Sequence, residues 1–426
     1  MTSLAWLRDL CATVRAADLS VDTDVALHEQ SLPPSKDPWY RPPQGWESKQ
    51  QGDILRISSV PTLSEIVGNS SATYHILYRS TDSKNDPSWA VTTLFIPSSI
   101  YHSPSGKMAI LSYQFAYNTA NFDSCPSFAL SGVMARSEPS LGIKSSTSLI
   151  DEMLSFGWVV STPDHLGPDS AFGASIQGGH ATLDAVRAVH RLLDLGKASA
   201  YNTTIWGYSG GSIATFAAAE LQSKYAPDVK IDGTVLGGFV DNVSGDFDKL
   251  NKSPIAGALA AFLLGITSQY PEARSYLESR LLPAMKDEFM SILDKEATET
   301  VQHFSGRDIY TFFQSGIADL RAPQLQTLYD EQAKLGSERA PLMPMFLYKA
   351  INDQFCPVEW TDATVVELCN SGAEITYERN TVGSHVSEIE NGKPRAFKFL
   401  WSLFEGSYVS PSTKQSVSDV TVDISG

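Results

Sequence analysis

The chain has 426 residues, 42% of them hydrophobic and 19% charged, ample apolar material for one enlarged domain or two. Its formal net charge of -16 excludes a nucleic-acid partner, because a polyanion would be repelled over the whole approach. No run of about 18 apolar residues occurs, which excludes stable membrane insertion through a spanning helix.

In chain order, Met1 to Ala17 has its apolar residues broken by Arg8 and Asp9. It offers no secretory h-region, so an intracellular location is expected, with secretion as the alternative. A short N-terminal helix is expected there, followed by a loop over Pro33 to Trp46. The five prolines of that stretch suit neither a helix nor a strand interior. Residues 1–50 therefore read as a helix and wrapping segment. Strands are predicted at Asp53–Val60, Tyr74–Arg79, Trp89–Ile96, Lys107–Gln114 and Trp158–Thr162. A helix over Gly179–Leu195 follows, with Leu183, Val186, Val189 and Leu193 at helical spacing. The strand Asn202–Trp206, the helix Gly210–Lys224 and the strand Ile231–Leu236 continue the alternation, which implies parallel crossovers in one sheet.

Between Asp241 and Ala340 the strand signals stop and helical patterns take over. Residues 241–340 read as a helical cap set into a core made of 51–240 and 341–407. The core resumes with the strand Met345–Lys349, the helix Val358–Cys369, the strand Glu374–Glu378 and the helix Pro394–Phe404. The tail 408–426 has no clear periodicity and is expected to be loose.

Cys11, Cys125, Cys356 and Cys369 are too few for a disulfide framework in a chain this long, and none has C-x-x-C spacing. Sequons stand at Asn69, Asn202, Asn242 and Asn251. They matter only if the chain enters the secretory pathway.

Gly207-Tyr208-Ser209-Gly210-Gly211 matches G-x-S-x-G, the turn that presents a nucleophilic serine. The bare pattern is short enough to arise by chance, so its setting decides. A β run precedes it and an Ala-rich helix follows it, the strand–turn–helix context the chemistry needs. A serine hydroxyl requires a base, and the base an orienting acid. His303 and His385 are the two histidines that follow Ser209. His303 falls in the helical insertion, whereas His385 follows the last core strand of the alternation. Asp353 lies on the loop after Met345–Lys349; Glu359 and Asp362 fall within the next helix. Ser209, His385 and Asp353 are thus the expected nucleophile, base and acid. His385-Val386-Ser387-Glu388 is not the H-E-x-x-H of a zinc hydrolase, and no metal or organic cofactor is expected.

These segments resemble the fungal secretory lipase family of the lipase-A type. The likeness runs through Trp206 to Gly238. It includes Gly-Pro-x-Ser-Ala-Phe and Gly-His-Ala-x-Leu-Asp within Pro163 to Ala188, and Gly-Ala-x-Ile between Cys369 and His385. It covers roughly residues 50–405. The resemblance implies an α/β-hydrolase fold, a mostly parallel sheet flanked by helices, with an inserted cap. It implies the triad Ser209, Asp353 and His385, and an oxyanion hole from the amides of Gly210 and Asn118. Asn118 stands where the family has aspartate, and His165 where it usually has tyrosine.

The expected activity is carboxylic ester hydrolysis through an acyl-enzyme, on a small or secondary-metabolite ester. An acyltransferase using the same triad and a non-catalytic binding protein on the same scaffold are the alternatives.

Overall fold

The structure, a computed structural model, describes residues 26–27, 32–130, 141–193, 200–333, 335–336 and 340–424. The expected N-terminal helix lies outside them. Among the described residues, eleven strands form one sheet: β1 (Ala26–Leu27), β2 (Ile54–Ser59), β3 (Ser70–Thr81), β4 (Pro87–Pro97), β5 (Met108–Gln114), β6 (Val159–Pro163), β7 (Tyr201–Tyr208), β8 (Gly233–Gly237), β9 (Met345–Ala350), β10 (Ile375–Asn380) and β11 (Gln415–Val420). Their spatial order is β1-β2-β3-β4-β6-β5-β7-β8-β9-β10-β11. From β6 to β11 every pairing is parallel, while β2, β3, β4 and β6 pair antiparallel.

In the centre of the parallel part both faces are covered, so β6, β7, β8 and β9 are buried along their whole length. The helices Ser175–Leu192 and Gly210–Tyr225 pack together on one face, and Glu388–Glu405 covers β7, β8 and β9 on the other. Crossovers of this kind bring the loops after β5, β7, β9 and β10 to one edge, where an open α/β sheet holds its ligands.

Three elements depart from expectation. The helix near the end starts at Glu388 and keeps Pro394 inside it; a proline that would suit a first turn is tolerated because the buried face of the helix holds it to the sheet. The helix Leu141–Ser155 was not anticipated from the sequence. The tail is not loose throughout: Gln415–Val420 extends the sheet, pairing in parallel with Ile375–Asn380. Its side chains are mostly exposed, which is why no burial pattern marks it.

The described part of 241–340 is helical, apart from an isolated bridge between Leu281 and Phe313. Its helix Ala256–Ile266 is almost wholly buried, and Gly265 is pressed so closely on the Phe172 backbone that a Cβ would not fit without a shift. Among the described residues, no helix is long and apolar enough to cross a membrane.

Candidate active site

Ser209 sits between β7 and the helix Gly210–Tyr225 with φ 51° and ψ -126°, a strained conformation for a residue with a Cβ. The strain is imposed from both sides. The Ser209 N–H donates to Gly237 O at 2.9 Å, which anchors the turn to β8. A Cβ on Gly207 would collide with Gly211 O and Thr215 Oγ1, and one on Gly211 with Gln114 O. Glycine at both positions lets the turn close this tightly.

His385 projects from the turn after β10. Its Nε2 lies 2.8 Å from Ser209 Oγ and its Nδ1 lies 2.7 Å from Asp353 Oδ2. The ring is held by its own backbone: His385 N–H donates to Gln354 Oε1 at 3.1 Å, and Tyr208 Oη donates to His385 O at 2.6 Å. Asp353 leaves β9 on a short turn, and its Oδ1 accepts the amides of Phe355 and Cys356 at 3.0 and 2.9 Å. Burial on its own would raise the Asp353 carboxyl. The His385 hydrogen bond, the charges of His385 and Lys349, and the Cys356 amide outweigh burial and hold it below the ordinary carboxylate value.

Ser209 and His385 open on a cavity of about 60 Å³. Gly210 and Asn118 line it as well, with Asn118 Oδ1 against the Gly210 backbone. The remaining wall is apolar: Phe172, Ile213 and Val240 from the core, Leu250, Ile255 and Ala258 from the insertion, and Phe355 and Cys356 from the Asp353 turn. The helix Ala256–Ile266 thus divides its work, with Ala258 facing the cavity and Gly265 packing underneath.

All five residues expected at the site are therefore brought to one place. The others lie elsewhere. Glu359 is exposed, and Asp362 pairs with Arg379 at 2.9 Å. His303 meets Glu288 on the insertion. His165 is buried edge-on to Tyr117, at 4.9 Å between ring centroids, and burial drives its pKa down to about 3; it does not line the cavity. Among the described residues, the grouping with metal-ligand potential is Asp353, Cys356 and His385, with ligand atoms within 4.8 Å of one another. Two of these three are already engaged with each other. Tyr208, Gln354 and Lys349 support the site and were not anticipated. A lysine inside the apolar run Met345–Ala350 was the one sequence signal for any of them.

Residues 135–411 match the family model described as secretory lipase. A probable trichothecene esterase of Stachybotrys chartarum is 53% identical over 425 residues, covering 100% of this chain and 88% of the relative. The chain belongs to the secretory lipase family. A trichothecene C-3 esterase of Fusarium sporotrichioides is 38% identical, covering 90% of this chain and 86% of its own. The solved structure of Candida antarctica lipase A in its closed state superposes with a TM-score of 0.80 at 24% identity, over 91% of this chain and 90% of that one. The fold is that of an α/β-hydrolase, and the protein is a carboxylic ester hydrolase. Membership of a secretory family gives no support to the intracellular expectation.

Proposed function

We propose that this hydrolase removes a short acyl group from a bulky alcohol, with Ser209 as nucleophile, His385 as base and Asp353 as the acid that orients it. The observation that carries the reading is the unbroken hydrogen-bonded run from Ser209 to Asp353, opening on a cavity of about 60 Å³. A space of that size holds only a few heavy atoms. An acetyl group fits it. The names of the two esterase relatives make a trichothecene ester the substrate class of choice.

In the first half-reaction, His385 Nε2 takes the Ser209 proton while Oγ bonds to the ester carbonyl carbon. The tetrahedral oxyanion is received by the amide of Gly210, at the first turn of a helix, and by that of Asn118. Asp353 stabilises the imidazolium, which then protonates the departing alkoxide as the acyl–oxygen bond breaks. In the second, His385 deprotonates a water that attacks the acyl-enzyme. Collapse of that intermediate releases the carboxylic acid and returns the proton to Ser209.

A series of p-nitrophenyl esters of increasing length tests the reading. kcat/KM is expected to peak at acetate or propionate and to fall by about 10-fold or more beyond butyrate, the scale set by a few misfitting methylenes. An acetylated trichothecene should yield the free alcohol by mass spectrometry. Turnover that rises with chain length, or strong activation on a long-chain triglyceride emulsion, would overturn the short-acyl assignment. Membership of a secretory family also favours a secreted enzyme, and immunoblots of culture medium against cell extract separate the two locations.

A further inference from the structure

Lys349 stands one residue before the end of β9 and is 0% exposed. Its Nζ donates to Phe239 O at 2.8 Å and to Thr361 Oγ1 at 3.0 Å. Phe239 follows β8, and Thr361 belongs to the helix Val358–Asn370 that comes straight after the Asp353 turn. One side chain therefore ties β9 to the segment after β8 and to the helix that follows the Asp353 turn. Neither acceptor carries a charge, and among the described residues no ion pair includes Lys349.

A fully buried ammonium without a contacting carboxylate is costly, and a methionine would suit an apolar strand better. What compensates the charge is a set of groups close by but not touching. On its own turn this is Asp353. On the loop after β8 it is Asp241, buried, whose Oδ2 accepts the Thr364 hydroxyl at 2.6 Å. On β10, Arg379 lies beside Lys349 in register but is matched by Asp362 at 2.9 Å and Asp419 at 2.7 Å. Across the turn is His385. Beyond it lies the buried Glu388, which accepts from Asn380 and pairs with Arg395. Among the described residues, Asp353 and Asp241 are thus the two carboxylates left to balance Lys349: its charge, behind the His385 hydrogen bond and charge, helps hold the Asp353 carboxyl down, while at Asp241 it opposes a burial that still raises the carboxyl.

We propose that Lys349 is a positioning residue for the hydrolysis: its buried charge keeps Asp353 ionised beside His385, and its two hydrogen bonds fix the turn from which Asp353 projects. This rests on the reading of Ser209, His385 and Asp353 as the reacting chain.

Lys349→Gln removes the charge and leaves a shorter, neutral donor on the side of Phe239 O and Thr361 Oγ1. It should lower kcat by about tenfold with KM within roughly twofold. With the cation gone, the imidazolium forms more easily, so the acidic limb of kcat/KM should move to higher pH by about half a unit or more. Lys349→Met should move the limb the same way and also lower Tm. A lysine that merely braced the fold would lower Tm and leave the limb in place. A folded Lys349→Gln with an unmoved limb overturns the proposal. Should neither neutral variant fold, Asp241→Asn decides: removing that carboxylate should move the limb to lower pH, and an unmoved limb sinks the idea. Fluorophosphonate labelling of the wild type keeps the two readings apart. Failure to label Ser209 removes the reacting chain itself; labelling with an unmoved limb removes Lys349 alone.

Discussion

Asp353 and Asp164 are alike in placement and opposite in the direction in which their carboxyl pKa is moved. Each follows a strand of the sheet, β9 or β6, and each is buried, at 7% and 2% exposure. Each accepts two hydrogen bonds from the chain itself: Asp353 from the amides of Phe355 and Cys356, Asp164 from Ser127 N at 2.9 Å and Ser127 Oγ at 2.6 Å. Yet Asp353 is held below the ordinary carboxylate value, whereas burial pushes Asp164 up to about 7. Neutral donors are present in both places, so they do not account for the difference. A cationic partner does. Asp353 faces His385 and Lys349, while Asp164 is surrounded by Tyr40, Tyr117 and Cys125, none of them cationic. A buried carboxylate stays charged where a positive group faces it, and is otherwise driven toward its acid form.

The sharpest way to break this comparison is to neutralise each acid in turn. Asp353→Asn should lower kcat by about 10⁴-fold, the scale for losing the orienting acid of such a triad. Asp164→Asn should leave kcat within about threefold, as expected for a change away from the reacting groups. Comparable losses in the two variants would mean that Asp164 also serves the reaction. Combining Asp353→Asn with His385→Ala should cost little more than the worse single change, because the two act as a unit.

Stability should separate them next. Between about pH 4 and 7, the unfolded chain has released the Asp164 proton and the folded chain keeps it. Stability is therefore lost as pH rises through that window, by about 4 kcal/mol at most. Asp164→Asn, which can still meet Ser127, should raise Tm by a few degrees above pH 7 and by less near pH 5. The depressed carboxyl of Asp353 works the other way: its contribution is present above the ordinary carboxylate pKa and fades as pH falls through the lower folded value. Thermal melts of the two Asn variants should depart in slope from wild type in different windows and with opposite sign: Asp164→Asn between about pH 4 and 7, Asp353→Asn below about pH 4. Parallel slopes would remove the contrast.

The smallest effect concerns Asn118. Asn118→Asp adds a carboxylate to the cavity that holds His385, so the imidazolium is favoured and the acidic limb of kcat/KM should rise by a few tenths of a pH unit. A limb that stays put or falls would mean that the new charge is screened from His385.

Much of this molecule was readable without the structure, and the reasons are local. Gly207 to Gly211 announces itself because the turn tolerates no Cβ at its glycines, and the flanking β run and Ala-rich helix follow from short-range periodicity. Chain order points to His385 rather than His303, and loop position to Asp353 rather than Glu359 and Asp362; these are the side chains that the fold links to Ser209. What the sequence could not supply depends on contacts between distant segments. β11 is mostly exposed and is a strand only because β10 offers it an open edge, and Pro394 sits inside a helix because the sheet beneath holds it there. The volume of the cavity is set by Phe172, Val240, Ala258 and Phe355 meeting from four parts of the chain. The charge of each buried acid was equally out of reach, since Asp164 and Asp353 are the same residue type after similar strands. Only the three-dimensional arrangement decides which of them faces a cation, because electrostatic energy depends on distance through space and burial, not on separation along the chain.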